Sequence, residues 1–378
     1  MDFELNDEQR ALKDSLARVL ADRYGFEQRR AIAAGARGHD EATWKTLGEL
    51  GVLGLAVPEA YGGFGGRCED LLPVMQELGA ALSLEPVLPC VLAATALRTG
   101  ADEALCARVL PSLATGERIV AWAHDETAGR HAPRWIETAA RREGSGWVLE
   151  GVKPAVPGAP LASQFVVSAR VSGAPDAREG CALFLVDATA HGLQVQPHRL
   201  VDDSVAGELV LQHVPAQALA DPLDGARGDT AIAATLAVGT AAACADMVGT
   251  MGAAFRLAMD YLNTRRQFGR LIGENQALRH RAAEMLVSLE MARSMAIAAA
   301  VAVDQPDGEG AALDLHRAKL SIGRHARSVA HGAIQLHGGI GMTEEYAVGH
   351  TLRRIHVLDQ WFGDADAHAA RLAQALAA

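Results

Sequence analysis

The chain has 378 residues, enough to bury a large core and to form two or three domains. Its formal charge of −11 argues against a chain-wide surface for nucleic acid or anionic membrane, so any basic chemistry must be local. The five cysteines (Cys68, Cys90, Cys106, Cys181, Cys244) are scattered and lack CxxC spacing, which points to a reduced, cytoplasmic protein with no disulfide framework and no zinc site.

The opening MDFELNDEQRALKDSL has no basic region followed by an apolar stretch, so it does not read as a signal peptide. The most apolar run, AIAATLAVGTAAACADMVGTMG, is interrupted by Thr240, Asp246 and several glycines, which argues against a membrane span. Residues 1 to 117 read as an all-helical domain. Asn6 precedes a run with Leu12, Leu16, Val19 and Leu20 at helical spacing, and Gln9 stands where a capping-box partner would. Asp40 starts a further run, DLLPVMQELGAAL and DEALCARVLPSL continue the theme, and PEAYGGFGG is a loop.

From 118 to 224 the period changes. RIVAWAHD, GWVLEG, QFVVSARV, CALFLVDA, GLQVQP and GELVLQHV are short Val-bearing runs separated by turn residues, which suggests an antiparallel sheet or barrel. From 225 to 378 the helical period returns. Asp229 can cap a helix to about 263 and Asn275 one to about 303; others span about 311 to 336 and begin near Tyr346. Four long antiparallel helices make a bundle, with QPDGEG at 305–310 as an interhelical turn. The order α, β, α gives an α+β fold.

No GxGxxG follows a strand, and GxxxxGK[ST] and HExxH are missing, which disfavours Rossmann, P-loop and zincin chemistry. Two stretches stand out. NTRRQFGRLIGENQ (263–276) places Arg265, Arg266 and Arg270 around Phe268 and Gly269, next to a fresh helix start at Asn275 and Gln276. That is either an anion site suited to a phosphate or pyrophosphate, or a solvated turn whose arginines pair with carboxylates. In QLHGGIGMTEEY (335–346), Gly338, Gly339 and Gly341 end a helix and admit close backbone approach, with Gln335 and His337 as polar edges.

Together these stretches carry a resemblance. YLNTRRQFGRLIGENQALRHRAAEM and QLHGGIGMTEEY look like the two signatures of the acyl-CoA dehydrogenase family, and AVPEAYGGFGG and GWVLEGVK resemble its N-terminal loop and a central strand. The resemblance covers nearly the whole chain. It implies a helical N-terminal domain, a central β-domain and a C-terminal four-helix bundle. It also implies FAD-dependent α,β-desaturation of an acyl-CoA thioester, with electrons passed to an electron-transfer flavoprotein. The tail LDQWFGDADAHAARLA looks most like small subunits of two-component enzymes such as pimeloyl-CoA dehydrogenase.

The family's reaction needs a carboxylate at the substrate α-carbon. Where the family usually carries its glutamate, this chain has Phe362, within Trp361-Phe362-Gly363-Asp364. At the alternative place, about 26 residues before Arg265, stands Gly239, flanked by Val238 and Thr240. In the central segment, Ala155 and Pro157 stand where the resemblance implies a Trp and a Thr against the flavin. Asp125 replaces a usual Thr, while Glu126 is kept. By contrast Arg265, Phe268, Gln276, Gln335, Gly338 and Gly339 match the residues that, in the family, contact FAD held by a neighbouring subunit.

The leading expectation is therefore a catalytically incompetent subunit of a heteromeric dehydrogenase, paired as α2β2 with a larger subunit that supplies the base and the flavin-packing residues. One alternative is a self-sufficient dehydrogenase with a displaced base, Asp246 or Asp364; against it, Asp246 reads as a buried paired carboxylate and Asp364 as a helix N-cap. Others are a same-fold flavin monooxygenase or oxidase, and a scaffold without flavin. Dicarboxyl-, medium-chain or steroid side-chain acyl-CoA substrates all fit the resemblance.

Overall fold

The computed structural model describes residues 4–308 and 310–377; residues 1–3 of the opening stretch and Glu309 of the 305–310 turn lie outside them. By compactness the chain divides into two units. One comprises the chain up to Arg30, Cys68–Ser83 and the chain from Thr240 onward; the other comprises Ala31–Arg67 and Leu84–Gly239.

Six helices come first: α1 (Asp7–Arg23), α2 (Phe26–Ala34), α3 (Glu41–Glu49), α4 (Cys68–Ala80), α5 (Val87–Gly100) and α6 (Glu103–Ala114). The start of α1 is the capping box read from the sequence. Asn6 Oδ1 accepts from the Gln9 amide at 2.8 Å, and Gln9 Oε1 accepts from the Asn6 amide at 2.9 Å. Asp40 caps α3 by accepting from the Thr43 amide at 2.8 Å. Apolar on all sides, α5 is buried along nearly its whole length.

The strands are β1 (Val120–Ala123), β2 (Ala139–Glu143), β3 (Gly146–Pro157), β4 (Gln164–Arg170), β5 (Cys181–Asp187), β6 (Leu193–Arg199) and β7 (Val205–Ala218). Pairing runs β4-β2-β3-β7-β5 and returns from β5 to β4, closing a ring to which β1 adds at β4 and β6 at β7. A ring leaves few open edges. Its core is formed by Leu149, Phe165, Val167, Phe184, Val186, Leu209 and their neighbours. The sheet differs from the expected one in two ways. β1 and β2 run parallel to β4, and β2 is an additional strand whose ARRE sequence has no apolar alternation to betray it. It is placed by its hairpin with β3 through Gly144, whose φ of 59° suits the tight turn.

The C-terminal part holds α7 (Gly225–Thr264), a hairpin of β8 (Arg266–Gln267) and β9 (Arg270–Leu271), then α8 (Gln276–Asp304), α9 (Ala311–His337), α10 (Ala347–Gln360) and α11 (Ala365–Ala377). Met247, Met251, Leu262, Met285, Leu289, Ile322, Val329, Leu336, Ile355 and Leu358 form the bundle core. α7 begins a turn before Asp229, whose carboxylate instead lies 3.3 Å from Arg134. Glycines set how closely α4 approaches α7. A Cβ on Gly79 would lie 2.1 Å from the Asp246 carbonyl, and one on Gly249 would lie 1.9 Å from that of Gln76. By length and composition α7 and α8 could cross a bilayer, but both contribute to this bundle core.

Candidate functional site

The basic island of the sequence becomes a hairpin. α7 ends at Thr264, whose hydroxyl donates back to the Asp260 carbonyl at 2.8 Å. The chain then reverses over Phe268 and Gly269, at φ 51° and 78°. Two successive left-handed residues make the turn type whose twist matches a two-residue hairpin, and Phe is an unusual residue to spend there. Phe268 is fully exposed. The Ile272 amide donates to the Arg265 carbonyl at 3.0 Å and closes the loop. Asn275 occupies the N-cap position of α8 but does not cap it; its side-chain oxygen accepts from Arg270 instead.

The second motif lies at the same end of the bundle. Tyr261, one turn before the hairpin, stacks on His337, the last residue of α9, with ring centroids 4.5 Å apart. Both rings pack on Tyr346, at 6.4 Å from Tyr261 and 4.9 Å from His337. Beyond His337 the helix stops at Gly338 (φ 65°), whose amide donates back to the carbonyls of Ile334 and Gln335. A Cβ built on Gly338 or Gly339 would meet nothing within 4 Å, so this backbone faces open space. Arg265, Phe268, Gln276, Gln335, Gly338 and Gly339 are each exposed, on the two stretches that the Tyr261–His337 contact joins. Among the described residues none of Arg265, Arg266 and Arg270 forms an ion pair, and Arg270 donates to Asn275 instead. Unpaired guanidinium forks beside a backbone free of side chains fit a pyrophosphate.

The acid candidates are occupied elsewhere. Asp246 is fully buried, and both of its oxygens accept from Arg354, Oδ1 at 3.3 Å from Nε and Oδ2 from Nη2. Thr250 adds a contact to Oδ1 at 3.4 Å. Asp364 accepts from the Ala367 amide at 2.8 Å and caps α11. Gly239 sits buried in α7, and Phe362 sits in the turn between α10 and α11 at φ 64°, partly buried against the bundle core.

In the β-domain the residues next to Lys153 are structural. The Lys153 ammonium is fully buried, donating to Glu126 Oε1 at 2.7 Å, the His124 carbonyl at 2.8 Å and Ser168 Oγ at 3.1 Å. Burial pushes the Glu126 carboxyl up, but Lys153 and donors from Thr138 and Glu137 outweigh it and hold it below the ordinary range. Burial likewise lowers Lys153 and His124. Ala155 is exposed and Pro157 half-buried, so this strand presents neither an aromatic ring nor a hydroxyl at those positions. The bundle end therefore fits the polar end of FAD, while this strand lacks the groups for its ring.

Two clusters escaped the sequence reading: this Lys153–Glu126–Ser168–His124 network, and one around Lys319 and His368 behind Phe362. Lys153 and Glu126 stood out only through the resemblance, and nothing in HRAKLSIG marks Lys319.

Comparison with known proteins matches all three parts of the chain. The N-terminal domain of acyl-CoA dehydrogenase matches residues 6–117, the middle domain 121–214 and the C-terminal domain 226–377. Acyl-CoA dehydrogenase FadE12 of Mycobacterium tuberculosis is 33% identical over 360 residues, covering 92% of this chain and 90% of its own. Among solved structures, the Tcur3481-Tcur3483 steroid ACAD superposes with a TM-score of 0.86 at 29% identity, covering 98% of each chain. The ChsE4-ChsE5 complex from Mycobacterium tuberculosis shares the fold, with a TM-score of 0.87 at 24% identity, covering 100% of this chain and 99% of that one. The chain belongs to the acyl-CoA dehydrogenase family of flavin-dependent oxidoreductases.

Proposed function

We propose that this chain is the non-catalytic partner in a heteromeric acyl-CoA dehydrogenase, contributing Arg265, Phe268, Gln276, Gln335, Gly338 and Gly339 to FAD held by a larger catalytic subunit. One observation carries the reading: the two stretches that would serve a neighbour's flavin meet at Tyr261 and His337, their arginines exposed and without carboxylate partners among the described residues, while Phe362 stands where the resemblance puts the base. Phenylalanine has no proton acceptor, so the α-proton of a thioester bound here has nowhere to go. FAD, when bound, supplies the acceptor for the β-hydrogen as hydride. This chain's part is to hold the pyrophosphate with its guanidinium forks and to admit it against Gly338 and Gly339, whose backbone faces open space.

The Tcur3481-Tcur3483 relative, a steroid ACAD of two named components, supports both the two-chain assembly and a bulky acyl-CoA substrate. An α2β2 arrangement, pairing like the small subunit of pimeloyl-CoA dehydrogenase, a cytoplasmic setting and an electron-transfer flavoprotein as acceptor complete the proposal. So does the division into helical (1–117), β (118–224) and bundle (225–378) domains. Replacing Arg265→Ala in the co-purified complex tests it. Flavin content should fall several-fold while the variant chain keeps its melting temperature and still co-purifies. Unchanged flavin would refute the role given to this surface.

A further inference from the structure

One face of α9 addresses the turn between α10 and α11 through Lys319, Gly323 and Arg327, spaced one helical turn apart. Lys319 is fully buried. Its Nζ donates to the carbonyls of Leu358 (3.0 Å), Asp359 (2.8 Å), Trp361 (2.9 Å) and Gly363 (2.8 Å). The carbonyl left between the last two, that of Phe362, accepts from His368 Nε2 at 3.2 Å. With Nε2 as donor, His368 Nδ1 is bare and accepts from His316 Nδ1 at 3.0 Å. Gly323 lets α9 come close enough: a Cβ there would lie 2.4 Å from Asp359 Oδ1 and 3.2 Å from Ala365 Cβ. Arg327 lies 3.6 Å from Asp359 Oδ2 and supplies the facing charge.

The turn itself is not one the chain adopts by local preference. Phe362 and Gly363 are successive left-handed residues, φ 64° and 101°, and a bulky side chain disfavours that region. Something outside the turn must impose it. A buried ammonium whose acceptors are all backbone carbonyls of one segment is such a device, because it fixes peptide planes without contacting a side chain.

We propose that Lys319 is the positioning residue of this turn, the group that fixes the direction in which the side chain at 362 leaves the bundle. The proposal rests on the reading above, in which 362 stands at the family's base position. It adds that the backbone platform of that position is intact, so that Phe362 is a rigid apolar face toward the acyl chain in place of a carboxylate.

The test uses the full chain carrying fluorophenylalanine, with the resonance of position 362 assigned by Phe362→Leu. In Lys319→Met that resonance should shift and broaden, while those of Phe165 and Phe184 in the β-domain stay in place. An unmoved resonance at 362 would overturn the proposal. Should the variant not fold, a pH titration of the unsubstituted chain decides. Burial lowers Lys319 to about 8. The groups facing it are Cys244 on α7, Asp359 on α10, Asp364, His316 on α9, and His368 and Arg371 on α11. Of these, Cys244 is pushed up to about 12 and His368 down to about 3, both far from that window. The 362 resonance should move with a midpoint near 8, and a flat response across it would overturn the proposal. Octanoyl-CoA added to the assembled complex separates this inference from the one beneath it. A perturbed 362 resonance supports the acyl-facing role, whereas no perturbation refutes that role and leaves the Lys319 result standing.

Discussion

Lys153 and Lys319 are both fully buried ammonium groups, and each is met by a different kind of partner. Lys153 has a carboxylate, Glu126, at 2.7 Å; Lys319 has carbonyls only. Removing one member of a buried pair leaves an uncompensated charge, so Glu126→Gln should cost about 3 kcal/mol in urea unfolding. A loss under about 1 kcal/mol would show that Lys153 sheds its proton instead. His368 gives a pH prediction of definite sign. Burial lowers it to about 3 from its ordinary 6.5, so between those values the unfolded chain binds a proton that the folded chain refuses. Stability therefore falls on acidification below about 6.5, by about 2 kcal/mol from this group between pH 7 and pH 5. Parallel urea titrations of the chain and of His368→Asn should diverge over that range, with the variant flatter. Superimposable pH dependences would contradict the assignment.

At the scale of elements, the packing of α7 on α4 is set by where glycine replaces a side chain. Gly249 on α7 and Gly252 three residues on look equivalent in sequence. A Cβ on Gly249 would meet the Gln76 carbonyl at 1.9 Å, whereas one on Gly252 has nothing closer than Arg256 Nη1 at 3.6 Å. Gly249→Ala should therefore destabilise by about 1–3 kcal/mol through overpacking. Gly252→Ala should be neutral or stabilise by up to about 1 kcal/mol through helix propensity. Thermal melts of the two variants check the pair, and a reversed order would contradict the packing described here. What was legible in the sequence follows the same division between local and tertiary. The Asn6–Gln9 box and the Asp40 cap depend on residues three apart, and patterning shows them. β2 was hidden because its partner β3, not its own ARRE pattern, makes it a strand. The start of α7 was misplaced because Asp229 looks like a cap and is an ion-pair partner of Arg134. Lys319 was hidden because its acceptors lie some forty residues further along the chain. The proposed loss of the base at 362 rests on flanking residues that resemble a family whose chemistry demands one.

For the molecule as a whole, the two signature motifs, far apart in sequence, meet through Tyr261 and His337 at one bundle end. They form an exposed surface whose three arginines have no carboxylate partners among the described residues. On a chain of net charge −11, such a surface is what the proposed anion contact requires. Phe268 at its tip occupies a left-handed position that Asn or Gly would fill with less strain. Phe268→Asn should therefore leave the melting temperature unchanged or raise it slightly, while lowering the flavin content of the complex. A drop in melting temperature with flavin retained would make Phe268 structural and remove it from the contact surface. The most direct test of the central claim is the visible flavin absorbance of this chain purified alone, compared with the chain purified after co-expression with a larger acyl-CoA dehydrogenase subunit. The account predicts a colourless, folded chain alone and stoichiometric flavin with turnover only in the complex. Stoichiometric flavin and acyl-CoA turnover in the chain alone would contradict it.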